Sequence, residues 1–237
     1  MSLLRIAPTK KLTVALGLAV SIGFGWPICG YTLLPHSKAV ETLEYEITWN
    51  GKLVGSHQYV FQRDEDFLTV HFEQDIEVRI LGVTLQKYSS KGEETYKKNQ
   101  LQAFSATTYD KGKEAYCNVS KEAESYIVDG SSYTGQSPSS FIIGTWWNRD
   151  TVNSKYQITP RGCGIFEQEV ELIATEKINI GDETIEAQLF RIVSWKLDVP
   201  ESKKVENQVW YAKDKSIMLK AKTYNKGPLV IKLKTYK

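Results

Sequence analysis

From Leu43 to Trp49 the chain alternates without a break: Leu43, Tyr45, Ile47 and Trp49 fall on one side, Glu44, Glu46 and Thr48 on the other. A period of two residues fits a strand with one buried face and does not fit a helix, whose faces repeat every 3.6 residues. Asn50-Gly51 follows at once, and both residue types accept the positive φ that a two-residue type I′ turn demands. This stretch commits the chain to an antiparallel hairpin, and the rest of the sequence repeats the pattern.

In that hairpin Val54 is expected opposite Ile47. Parity then changes, because His57, Tyr59 and Phe61 form the next apolar row, and Gly55 is the natural place for a bulge. A two-residue loop at Asp64-Glu65 would set Phe61 against Leu68 and Tyr59 against Val70, turning Glu73, Asp75 and Glu77 outward. Gly82 and Lys91-Gly92 read as further reversals, Leu101 to Tyr109 runs into Asp110-Lys111-Gly112, and Tyr126 to Val128 ends at Asp129-Gly130. The polar run SSYTGQSPSS (131–140) predicts a loop or lid. A short helical turn starting at Ser139 or Ser140 would carry Phe141 to Trp147. Strands are expected again at Glu167 to Ala174, Glu183 to Trp195, Gln208 to Ala212, Ile217 to Thr223 and Leu229 to Tyr236. The last two join across Asn225-Lys226-Gly227. So many short antiparallel strands predict an all-β fold, an antiparallel β-barrel or a strongly curved half-barrel, in one domain over 42–237.

Ahead of it stand the cations Arg5, Lys10 and Lys11 and then an uncharged apolar run, Leu12 to Cys29. That order is the signature of an export signal, and it predicts an N-terminal export or anchor helix over 1–30 followed by a linker over 31–41. Ile28-Cys29-Gly30 leaves cleavage near Tyr31 and retention as a membrane anchor both open. Ile28 and Pro27 before Cys29 do not form the small-residue site that lipidation needs. Removing the first thirty residues takes away three cations and no acid, so the net charge moves from +2 to −1. No basic footprint for nucleic acid remains. Cys117 and Cys163 then form a pair that an oxidising compartment permits to bridge, although sequence does not fix their distance.

Tyr45-Glu46-Ile47-Thr48-Trp49-Asn50-Gly51, continued by Val54-Gly55-Ser56-His57, resembles the opening hairpin of an uncharacterised family of bacterial periplasmic proteins, known only as a domain of unknown function. Pro138-Ser139-Ser140 before Trp147-Asn148, the strand Val209-Trp210-Tyr211 and the final hairpin through Leu233 fit the same family. The resemblance spans about Glu41 to the end, and it brings no activity with it. It implies a periplasmic location and a barrel or half-barrel similar to periplasmic carriers of lipoproteins and other apolar cargo. Gly144-Thr145-Trp146 also matches the glycine-x-tryptophan signature of lipocalins, but lies mid-chain where lipocalins carry theirs on the first strand.

No residue pattern names a reaction. His36 falls in the linker, while His57 would face His71 only under a three-residue loop, with no acid or cysteine completing a metal site. Arg161-Gly162-Cys163-Gly164 is flexible and cation-flanked, as a reactive thiol needs, yet no catalytic signature surrounds it. Glu44, Glu46, Glu73, Asp75 and Glu77 belong to the solvent face. Lys213, Lys215, Lys220, Lys222, Lys226, Lys232 and Lys234 make the last strands basic, as a solvated face or for anionic head groups. The expected site is therefore a binding site: Tyr45, Trp49, His57, Tyr59 and Phe61 with Trp146 and Trp147, the last two serving as a cap or as a plug. Three functions follow. The first is an exported, non-enzymatic envelope protein holding an apolar small molecule, lipid or acyl chain, with no cofactor. The second is an envelope scaffold acting through a partner protein, and the third an enzyme using Cys163 or His57. If uncleaved, Leu12 to Cys29 would tie any of them to the membrane.

Overall fold

A computed structural model describes residues 40–138, 140–197, 199, 203–215, 217–224 and 228–237. All fall within the compact unit Thr32–Lys237. The expected N-terminal helix, the linker and His36 lie outside the described residues. Among the described residues no helix is long and apolar enough to cross a membrane.

The first half is a meander of β1 (Thr42–Trp49), β2 (Lys52–Asp64), β3 (Phe67–Ile80), β4 (Val83–Lys97), β5 (Gln100–Asp110), β6 (Lys113–Glu122), β7 (Ser125–Gly130) and β8 (Thr134–Gln136). The second half is β9 (Ile142–Ile143), β10 (Tyr156–Ile158), β11 (Ile165–Ile180), β12 (Glu183–Lys196), β13 (Val205–Ala212), β14 (Met218–Thr223) and β15 (Leu229–Tyr236). Among the described residues only β9 and β10 pair in parallel. One sheet holds all fifteen strands, in the order β8 to β1 and then β15 down to β9. β1 is therefore central, its two sides covered by β2 and β15, and the chain passes from one edge, β8, to the other, β9.

The two edges do not pair with each other, so the sheet is not closed into a barrel. Its ends meet by other means. Cys117 of β6 forms a disulfide with Cys163 from the β10–β11 loop. Beside it the amide of Ser132 donates to the carbonyl of Gly162 at 2.7 Å, and Arg161 pairs with Asp110 at 2.8 Å. Gly130 is required at this seam, since a Cβ there would lie 2.5 Å from that of Cys163. The inward faces of both halves then share one apolar core.

Several registers differ from expectation. Asn50 and Gly51 take φ of 49° and 78°, as a type I′ turn needs, but the bulge falls on Val54, so Gly55 rather than Val54 faces Ile47. The β2–β3 loop is Glu65-Asp66, and Asp64 pairs with Phe67. Phe61 thus faces Val70 and Tyr59 faces Phe72, a shift of two residues that leaves every side chain on its expected face. The gain is an aromatic contact across the strands, with the Tyr59 and Phe72 rings 6.5 Å apart. Gly92 is no reversal but the middle of β4; a Cβ there would lie 2.3 Å from the Ser105 carbonyl and 2.7 Å from the Phe72 ring. The polar run includes a paired edge strand, β8, and Ile142–Ile143 is a strand, not part of a helical turn. The helical turn forms later, as a 3-10 helix over Arg149–Asn153 capped by the Asn148 side chain. The β-branched pair Ile142-Ile143 favours the extended form, while Asn148 supplies the cap.

Candidate functional site

The segment Gly144 to Trp147 runs inside the rolled sheet and divides its interior. Three buried groups hold it there. The Tyr59 hydroxyl donates to the Thr145 carbonyl, and the Tyr211 hydroxyl donates to the Trp146 carbonyl at 2.9 Å. Glu94, 1% exposed, accepts from Thr145 Oγ1 at 2.6 Å and Trp147 Nε1 at 2.8 Å on one oxygen, and from the Tyr96 hydroxyl at 2.5 Å on the other. Burial pushes the Glu94 carboxyl above its ordinary range, and its three donors oppose that rise. Glu94 is absent from the expected site, although alternation along β4 puts it in one row with Tyr88, Ser90 and Tyr96.

On one side of this segment the interior is packed. Trp147 meets Phe61 and Tyr96 edge-on at 5.4 and 5.9 Å. Phe72 and Phe104 stack 6.2 Å apart, and Tyr45 donates its hydroxyl to the Met218 carbonyl at 2.9 Å. On the other side it is hollow. A cavity of about 660 Å³ opens at the end of the sheet carrying the β1–β2, β3–β4 and β5–β6 turns, with Trp49, Leu85, Lys111 and Leu229 toward the mouth. Phe72, Thr145, Trp146 and Met218 line it further in.

The residues singled out from sequence therefore separate. Trp49, His57 and Trp146 line the cavity, whereas Tyr45, Tyr59, Phe61 and Trp147 belong to the packed core that supports it. The adjacent tryptophans divide the roles of plug and wall between them. Trp146 sits at φ 66°, a left-handed backbone that a bulky side chain rarely adopts, and this reversal turns its ring away from that of Trp147. Phe72, Met218 and Ile231, also on the wall, are ordinary members of apolar rows with no sequence mark to set them apart.

His57 packs among Tyr45, Tyr59 and Phe72, and among the described residues neither ring nitrogen has a hydrogen-bond partner. Burial lowers its pKa to about 3, so the imidazole is neutral. The cross-strand histidine pair does not form: His57 faces Gln74, and His71 lies on the outer face beside Glu93 at 3.2 Å. Among the described residues no group of acids, cysteines and histidines has the arrangement of a metal site. Cys163 is engaged in its disulfide and has no thiol to offer as a nucleophile in this state. The C-terminal lysines are largely structural: Lys213 pairs with Glu186, Lys215 with Glu183 and Lys234 with Glu46, and Lys220 lies 4.3 Å over the Trp210 ring.

The fold recurs in solved structures. A β-barrel-like protein of the domain of unknown function DUF1849 from Brucella abortus superposes with a TM-score of 0.59 at 12% identity, over 84% of this chain and 99% of that one. A Bacteroides fragilis protein of YmcC-like fold, described provisionally as exported, gives a TM-score of 0.39 at 12% identity over 83% and 94%. A Parabacteroides distasonis protein described provisionally as a lipoprotein gives 0.36 at 12% identity over the same shares. No curated protein matches the sequence. From residue 45 to residue 233, nearly the whole of the rolled sheet with its cavity and its dividing segment, the chain matches one family profile, and it belongs to that family, the domain of unknown function DUF6134.

Proposed function

We propose that this is an exported, non-enzymatic protein of the periplasm that holds an apolar ligand or acyl chain in the hollow end of its sheet. The cavity carries this reading. Its volume of about 660 Å³ falls within the ~300–1,000 Å³ of small-molecule sites, and its wall is mainly aromatic and aliphatic. A core that only needed to be stable would fill such a space, since interiors pack to crystal density. The export reading rests on the charge order of the first thirty residues and on the disulfide, which persists in oxidising compartments. Native mass spectrometry of the purified full chain, with solvent extraction of bound lipid, tests the ligand. A co-purifying apolar molecule displaced by the cavity-filling change Ile76→Trp is expected. A chain that arrives empty and takes up no fatty acid or phospholipid sinks the reading.

One observation favours a second reading, an envelope scaffold. The outer face of β2 to β6 carries a groove of about 610 Å³ around Gly92, with His71, Glu73, Lys91, Glu93 and Tyr116 along it. Crosslinking that recovers one stoichiometric partner through Lys91, unaffected by Ile76→Trp, would favour the scaffold over the carrier.

A further inference from the structure

One apolar row of the cavity wall does not stop at the mouth. Ile76 and Val78 of β3 line the cavity, and alternation puts Ile80 on the same face. Val83 of β4 pairs with Ile80, and Leu85, the extra residue of a bulge, lies on the wall again. Pairing of β3 with β2 reaches only to Ile76, and pairing of β4 with β5 only to Tyr88. The stretches Glu77–Ile80 and Val83–Gln86 thus form a two-stranded ribbon whose outer edges leave the ladders of β2 and β5, roughly 13 Å long at ~3.3 Å per residue, with the Gln86 side chain donating to Asp110 at its base.

The ribbon is amphipathic in an unusual direction. Leu81 at its tip is 98% exposed, Val83 61%, Leu85 48% and Ile80 42%, and Leu53 on the adjoining hairpin is 66% exposed. Its other face is polar and internally satisfied, with Arg79 on Glu77 at 2.7 Å and Thr84 on the same oxygen at 3.3 Å. Contiguous exposed apolar side chains of this kind mark an interaction site. The charge around them indicates with what. Lys52, Lys87 and Lys111 are exposed beside the mouth, while the nearby acids Glu77 and Asp110 are already engaged by Arg79 and Arg161. A cationic collar behind an apolar tip complements an anionic lipid surface. A tip two strands wide suits a protein partner poorly, because a stable protein interface needs about 800 Å² on each side.

We propose that the Ile80–Leu85 hairpin inserts into an anionic lipid surface and holds the cavity mouth against it. Docking stands on the ribbon and its charges alone. Only the corollary, that an acyl chain travels along Ile80, Val83 and Leu85 into the interior, rests on the carrier reading. Hydrogen exchange on the full chain, with and without vesicles of anionic phospholipid, tests it. Amides of residues 80–86 gain at least ten-fold protection with anionic vesicles, less with zwitterionic ones, and Leu81→Glu/Val83→Glu abolishes that local gain while leaving Tm unchanged. Reading those amides separates tip docking from any attachment through the apolar N-terminal run. Unchanged exchange at 80–86 on vesicles overturns the proposal, and so does protection there by an envelope protein in the absence of lipid. Protection at the tip without uptake of acyl chains would uphold docking and defeat the carrier reading instead.

Discussion

The two ends of the rolled sheet are built from the same strands and differ in almost everything else. At one end the turns include Glu65-Asp66, Lys98-Asn99, Ala123-Glu124 and Gly181-Asp182, polar but for one alanine and one glycine, and the space beneath them is filled by Phe61, Tyr96 and Trp147 around the carboxyl of Glu94. At the other end a leucine stands on the β3–β4 turn, the interior is hollow, and His57 and Trp146 bury ring nitrogens that no partner among the described residues satisfies. Unpaired buried polar atoms and unfilled volume both cost stability. The packed end and the seam therefore hold the fold, and the hollow end is where stability has been given up.

The seam offers the largest test of that division. The Cys117–Cys163 bridge spans a separation of 46 residues, for which loop-closure entropy predicts roughly 4 kcal/mol. Denaturant titration of Cys117→Ala/Cys163→Ala should show a loss of that order, with hydrogen exchange rising first at residues 159–164 beside the cavity; a rise beginning at Glu94 would reverse the assignment. Next come the neighbouring tryptophans. Trp147→Ala should cost about 3 kcal/mol or more, since it opens a void and removes a donor from a buried carboxyl, whereas Trp146→Gly should stay within about 1 kcal/mol because glycine relieves the left-handed backbone. Equal losses would mean that the interior is not divided.

Acid probes the hollow end through His57. Its folded pKa, about 3, lies below the ordinary value, so its contribution is intact above about 6.5 and is lost as pH falls toward 3. From pH 7 to pH 5 that amounts to about 2 kcal/mol at ~1.4 kcal/mol per unit, and stability curves for His57→Phe should lack this component. The smallest effect has the opposite sign. Glu94 has a raised pKa, so its contribution is fully present below the ordinary carboxyl range and declines as pH rises through the folded value. Glu94→Gln should flatten that decline, and an unchanged slope would show that the carboxyl is not the source.

Much of this architecture is legible in the sequence, and the reason is parity. Alternation assigns a face to each residue of β1 to β3 even where the turn is misplaced, because the loop moves the register by two residues and a shift of two preserves the face. Alternation also places Trp49 and His57 inward. It carries no information about depth, so it cannot separate Tyr59, in the packed core, from His57 two residues away on the cavity wall. Depth is fixed by the Gly144–Trp147 segment, whose path depends on Tyr59, Glu94 and Tyr211, residues that meet only after the sheet has rolled. The ribbon is hidden in the sequence for a related reason: Ile80-Leu81-Gly82-Val83 has an ordinary hairpin composition, and what sets it apart is where its pairing with β2 and β5 ends.

The central pairing of β1 with β15 bears on the order of assembly. Ladders from Asn50 to Gln136 are local hairpins that form as soon as their residues exist, but one side of β1 waits for Leu229–Tyr236, the strand farthest from it in sequence among the described residues. A polypeptide emerging from its N-terminus would expose the bare backbone edge Thr42–Trp49 until β15 has been made, and an unprotected edge recruits other strands. A chain delivered whole before folding spends the least time in that condition, and a late arrival of β15 would make the C-terminal hairpin the step on which soluble yield turns.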